Sequence, residues 1–245
     1  MIEATSKGFW TPQFGMERNN AAMKAVTVSV VGSFAPPPEG AELVLFSDTK
    51  NYVAQYDSEK MLAKAVRYAK HYGVYLVPDR FVTEDSLCLC LIGPDGSPLL
   101  GQKAIHLNLD YRGFFRRESR LETAVTPFGR VALLVDVDIN FPQVIRAAAA
   151  EGVQLIVSSQ FIQLFDFFDA RIEYGPIAAA KSNATSVAAV TSAGSVLVGP
   201  DGGVIAGFSE DLPLTAKIPI GSPSGWEDVG AGGRLLRTHG MLIRD

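Results

Sequence analysis

From Val131 to Val135 the chain reads VALLV without a polar interruption, and a run this short and wholly apolar marks a strand buried on both faces. VALLVDVD is therefore read as one strand, with Asp136 and Asp138 two apart on a single face near its carboxyl end. Beyond it Asn140 is placed to cap a helix, Gln143 to answer the cap three residues on, and Pro142 to fill the first turn. The alanine stretch carries that helix to Gly152, where it stops, and Val153 to Ser158 supplies the next buried strand. A strand-helix-strand unit of this kind predicts parallel pairing with a right-handed crossover.

The same rhythm occurs earlier. Ala41 to Phe46 is a short apolar strand, and Asp57 can cap a helix that carries Met61, Leu62, Ala65, Val66, Ala69 and Tyr72 on one face up to Gly73. Strand Val74 to Val77 follows. Two further segments match each other: LIGPDGSPLLG at 91–101 and LVGPDGGVIAG at 197–207 both set Pro-Asp-Gly between apolar arms, as equivalent hairpins in two related halves would. Strands alternating with helices on so apolar a chain need cover on both faces, which gives an α/β class and a four-layer α-β-β-α sandwich of two mixed sheets flanked by helices. The expected division is one domain over 1–220 and a glycine-rich tail over 221–245.

Composition narrows the function classes. With 47% apolar and 20% charged residues the chain is too apolar for disorder. Its apolar runs fall far short of the roughly 20 residues of a spanning helix, so no membrane partner is expected. The opening MIEATSKGFW has no apolar block behind a basic start, and the cytoplasm is the expected compartment. A net charge of −4, with Arg112, Arg116, Arg117 and Arg120 as the one dense basic cluster, argues against nucleic acid. That cluster could still collect an anion or the acidic face of a partner. The two cysteines, Cys88 and Cys90, share one strand face, so no disulfide framework is expected.

The run TPFGRVALLVDVDINFPQVIRAAAAEGVQLIVSS resembles the central motif of the nitrilase superfamily of carbon-nitrogen hydrolases. ERNNAAMKA resembles that family's first helix, EGAELVLFSD its first catalytic strand, and LIGPDGSPLLGQKAIHLN the hairpin leading to its lysine. The resemblance covers roughly residues 1–220 and implies a glutamate base, a lysine that stabilises the oxyanion and a cysteine nucleophile. Here Asp48 stands for the glutamate, Ala104 is the strict match to the lysine with Lys103 one residue earlier, and Asp136 stands for the cysteine. A second glutamate of the family falls near Asp110, and its histidine at His106. On a strand the slip from Ala104 to Lys103 reverses the face unless a bulge corrects it.

Departures at four positions together describe a divergent member. A carboxylate is a weak nucleophile and a good leaving group, so ordinary amide or nitrile hydrolysis is expected to be lost, leaving binding, regulation or assembly. Two enzymatic alternatives stay open. One is a rearranged amide-type hydrolase using Asp48, Lys103, Asp136 and His106. The other is a metal-dependent hydrolase in which Asp48, Asp136, Asp138 and His106 hold a divalent ion. The quieter reading has Asp138 ordering the turn and Asp136 paired with Lys103 or an arginine, since buried charges are normally paired. No cofactor is called for; a small amide-like or carboxylate ligand fits the resemblance. The resemblance further implies a homodimer or larger, with Trp226 to Ile243 contributing to the contact.

Overall fold

Valines alternate with small polar residues in β1 (Lys24–Val31), so that Val26, Val28 and Val30 turn inward while Thr27 and Ser29 turn out. The computed structural model describes residues 24–47, 58–107, 113–161, 170–191, 194–209 and 211–220. Around β1 lies a sheet in the order β13-β1-β2-β3-β5-β4, with β6 paired to β5. Its members are β2 (Leu43–Phe46), β3 (Tyr75–Val77), β4 (Phe81–Thr83), β5 (Ser86–Ile92), β6 (Pro98–Lys103) and β13 (Leu214–Ile220). The second sheet runs β12-β11-β10-β9-β8-β7, from β7 (Thr123–Thr126), β8 (Gly129–Val135), β9 (Leu155–Gln160), β10 (Ser186–Thr191), β11 (Gly194–Val198) and β12 (Val204–Ser209).

Each sheet has a parallel centre, β1-β2-β3 or β8-β9-β10, and antiparallel flanks, so both are mixed. The main core fills the space between the sheets with Val26, Leu45, Leu89, Leu133, Val157 and their neighbours. Helix α1 (Ser58–Tyr72) closes the outer face of the first sheet. Helices α2 (Pro142–Ala150) and α3 (Ala170–Asn183) close the outer face of the second. The expected α-β-β-α sandwich is thus present. No helix among the described residues is long and apolar enough to cross a membrane.

Several local readings need correction. ERNNAAMKA is not a helix at its end, because Lys24 and Ala25 already belong to β1; the rest of it lies outside the described residues. The connection from β1 to β2, which parallels the β8-α2-β9 unit of the other half, is a loop over residues 32–42 built around Pro36-Pro37-Pro38. The outer face of β1 beside it carries hydroxyls, and Ser29 and Thr215 share a 2.9 Å hydrogen bond. In α1 the expected Tyr72 is 39% exposed, and Tyr68 is buried instead. The Tyr68 ring sets its edge against Phe46 and its hydroxyl donates to the Ala35 carbonyl at 2.7 Å. An aromatic with a polar tip suits that position, where an apolar wall ends at a loop carbonyl.

The matched hairpins occupy equivalent places. The turn of β5-β6 leans on α1 through Gly96, and the turn of β11-β12 leans on α3 through Gly202. A Cβ on Gly96, at φ +84°, would lie 3.1 Å from Val66 Cγ1, whereas one on Gly202, at φ +82°, would lie 2.7 Å from Lys181 Cβ. Both positions disfavour any L side chain, but the second also forces the hairpin off its helix. Gly202→Ala is therefore expected to cost about 2 kcal/mol and Gly96→Ala visibly less, read from urea midpoints; equal losses would refute the packing difference.

Candidate functional site

The parallel strands of both sheets end at the same edge of the sandwich, where Ser47, Asp79, Arg80, Ser159, Gln160 and Thr191 come together. Strand β8 ends at Val135, one residue before the aspartate pair. Asp136 takes φ +52°, a left-handed conformation unusual for a residue with a Cβ. Residues Asp136–Asn140 then form a 3-10 helix. The two aspartates consequently do not share a strand face, and they serve different neighbours. Asn140 does not cap α2 either: Phe141 stands at the cap position with no side-chain bond, its amide donating to the Asp138 carbonyl at 3.1 Å.

The Asp136 side chain is fully buried. Its Oδ1 accepts from Arg80 Nη1 at 2.9 Å and from the Phe161 amide at 3.0 Å; its Oδ2 has no hydrogen-bond partner among the described residues. Burial pushes its pKa up, and the Arg80 charge is the largest opposing influence. Arg80 enters from the segment after β3, with its side chain 4% exposed and its guanidinium 5.6 Å from the centre of the Phe161 ring. Asp79 steadies it: Oδ1 accepts from the Arg80 amide at 2.7 Å and from the Ser159 hydroxyl at 3.0 Å, and lies 3.7 Å from Arg80 Nε. The ion pair thus bridges the two sheets. Beside it is a cavity of about 10 Å³ lined by Ser47, Asp79, Arg80, Ser159, Gln160 and Thr191, at the lower limit for one water molecule.

Asp138 is also fully buried and makes a second bridge. Its carboxylate accepts from the Ile105 amide (3.1 Å), the His106 amide (2.7 Å) and Nδ1 (3.2 Å), and the Val135 amide (3.3 Å). One side chain therefore ties the exit of β6 to the turn after β8. Burial nevertheless pushes its pKa up to about 6, against those hydrogen bonds. His106 lies flat on Phe141, ring centres 3.6 Å apart and planes 7° from parallel. It is thus held by a stack and a carboxylate rather than aimed at Asp136.

Lys103 is exposed and pairs across the ladder with Cys88, whose side chain belongs to the cluster beneath α1. Directly opposed residues share a face, so Lys103 points to the outer side of the first sheet. The only register shift in this hairpin lies at Leu91/Ile92, far from Lys103, and no bulge restores the face. Ala104 points inward, wholly buried in the core between the sheets. Cys88 and Cys90 are both buried under α1, with thiol pKa values raised by burial, that of Cys90 to about 12. Asp48, Asp110, Arg112 and Trp226 to Ile243 lie outside the described residues. Of the other arginines, Arg116 pairs with Asp85 at 2.7 Å on the surface, and Arg117 and Arg120 are exposed. Among the described residues no group of three or more His, Cys, Asp or Glu is placed to hold a metal, and Asp136 and Asp138 are turned to different partners.

Arg80 is the residue that sequence reasoning misses. Its one signal is Asp79-Arg80 directly after the apolar Val74 to Val77, a charged pair at the level where the other strands also end.

No family model matches the chain, and no curated protein matches it in sequence. Solved structures do match. A cysteine-to-alanine mutant of the Nesterenkonia AN1 amidase from the nitrilase superfamily superposes with a TM-score of 0.71 at 17% identity, over 90% of this chain and 98% of that one. An amidase from Nesterenkonia sp. gives 0.70 at 18% identity, over 90% and 97%. A glutamate-to-glutamine mutant of the amidase from Nesterenkonia sp. AN1, showing covalent addition of the acetamide moiety of fluoroacetamide at the active-site cysteine, gives 0.70 at 18%, over 91% and 98%.

Proposed function

The chain has the fold of the nitrilase superfamily, and on that fold we propose a protein without thiol-dependent amide or nitrile hydrolysis, kept for binding, regulation or assembly. The observation that carries this reading is the state of Asp136. At the turn where the resemblance puts a thiol nucleophile stands a buried carboxylate already engaged by Arg80 and the Phe161 amide. A tetrahedral adduct of a carboxylate on an amide would expel the carboxylate again, since it leaves far more readily than an amine. The oxyanion would also lack its lysine, because Ala104 has no donor and Lys103 faces the other way.

What the edge of the sandwich retains is a mostly polar lining, Ser47, Asp79, Arg80, Ser159, Gln160 and Thr191 with Val190, around a space of about 10 Å³, so a small amide-like or carboxylate ligand would enter only if these side chains moved apart. Self-association as a homodimer or larger belongs to the same reading. The test is ammonia release from a panel of aliphatic amides and nitriles by the full chain, with light scattering on the same preparation. We expect no release above the uncatalysed rate. Release that disappears in Asp136→Ala would overturn the reading, and a clean monomer would remove assembly from it.

One observation favours a second reading, a rearranged hydrolase. Asp136 combines a strained backbone with an unpartnered buried oxygen, and both features collect at working sites. Such an enzyme would work with Arg80 in place of Lys103. The same panel decides: turnover kept in Lys103→Ala but lost in Arg80→Lys and Asp136→Asn, in preparations whose urea unfolding shows them folded, would support it.

A further inference from the structure

At the edge of the sandwich opposite Asp136, where the parallel strands begin, the inner row of β1 opens with a charge. Strand alternation puts Lys24 on the side of Val26, Val28 and Val30, which fill the core between the sheets, and its register partner Ile220 is itself a core residue. An unpaired ammonium is too costly to bury, and Lys24 is exposed, at a groove of about 460 Å³. Among the described residues it makes no ion pair. A cation thus stands in a row otherwise given to valine, with its donors free.

Tyr75 at the start of β3 and Phe128 in the turn between β7 and β8 line the same groove. Their ring centres are 5.2 Å apart and their planes meet at 84°. A pair set edge to face offers the face of one ring and the edge of the other, which is the surface a third ring prefers. The volume lies within the roughly 300–1,000 Å³ of small-molecule sites.

Charge narrows the ligand further. Glu42 also lines the groove, and one of its carboxylate oxygens accepts from the Thr27 amide at 2.8 Å. Thr27 lies three residues along β1 from Lys24, so the groove is positive at its Lys24 end and negative farther in. A single carboxylate is favoured at the lysine, and a second anionic group is repelled by Glu42. A cationic ligand would have to share Glu42 with the Thr27 amide, whereas the ammonium of Lys24 is uncommitted.

We propose that this groove binds a small aromatic monocarboxylate, its ring against Tyr75 and Phe128 and its carboxylate on Lys24. The site is separate from the polar edge at Asp136 and does not rest on how that edge is read.

The test is a titration of the isotopically labelled full chain with 3-phenylpropionate, indole-3-acetate and 4-hydroxybenzoate, followed by backbone amide shifts. The alcohol 3-phenylpropan-1-ol and the amine 3-phenylpropylamine serve as neutral and cationic comparisons. The expected result is saturable shifts at Ala25, Tyr75 and Phe128 with at least one of the acids, with Kd on the order of 1 mM. Binding of that acid should weaken about fivefold in Lys24→Met and persist in Lys24→Arg. No saturation at those amides with any of the acids would overturn the proposal, as would shifts confined to Arg80, Ser159 and Thr191. Equal binding of the acid to Lys24→Met, or of the alcohol or amine as tightly as 3-phenylpropionate, would do the same.

Discussion

Arg80→Ala is expected to lower stability by about 3–5 kcal/mol, because it strands a fully buried carboxylate that has no other charged partner among the described residues. The guanidinium donates to Asp136 Oδ1 at 2.9 Å from the other sheet, so the substitution removes both a charge and a bridge. Desolvation already pushes the Asp136 pKa up, and the substitution removes the charge that most opposes that shift. The double variant Arg80→Met, Asp136→Asn should recover most of the loss. It removes both charges, and asparagine tolerates the left-handed backbone at 136 better than most residues. Urea unfolding of the two single variants and the double variant tests this. A loss below about 1 kcal/mol for Arg80→Ala would mean that the pair is not the bridge described.

Asp138→Ala should have a comparable effect, on the order of 3 kcal/mol, since it leaves the Ile105, His106 and Val135 amides without their acceptor. Its pH dependence has a definite sign. The folded-state pKa of about 6 stands above the ordinary 3.8, so the folded protein holds the proton more tightly than the unfolded chain. The contribution of this group to stability is full below pH 4 and is lost as pH rises through 6. Over that window the loss amounts to roughly 3 kcal/mol, from about two pH units at 1.36 kcal/mol each. Asp138→Asn cannot titrate, so the stability of the native chain relative to this variant should fall between pH 4 and pH 7.5. If that difference instead rose with pH, the hydrogen bonds rather than burial would dominate the carboxylate.

How far the sequence shows these features depends on the range of the interaction that makes them. Apolar runs, the two Pro-Asp-Gly turns and the Gly152 stop are local, and they appear in the structure as β8, β9, the two hairpins and the end of α2. The face reversal between Ala104 and Lys103 also follows from strand geometry alone. The placing of Asp136 and Asp138 on one face assumed that the strand continued through them. It stops one residue earlier because Asp136 turns left-handed, which nothing in VALLVDVD announces. Arg80 was hidden for a different reason. Its partner is 56 residues away in the other sheet, and no periodicity connects two strand ends that meet only after both sheets have formed.

The pairing of Lys24 with Ile220 also has a mechanical meaning. Since β1 and β13 are antiparallel and these two residues oppose each other, a load applied through both of them pulls across the ladder from its open end. Its hydrogen bonds would then break one after another, as in a zipper, rather than together, as in a shear joint. Under tension this edge is the molecule's weak seam, and the first material to peel from the sheet would be β13, which takes Ile220 away from Gly129.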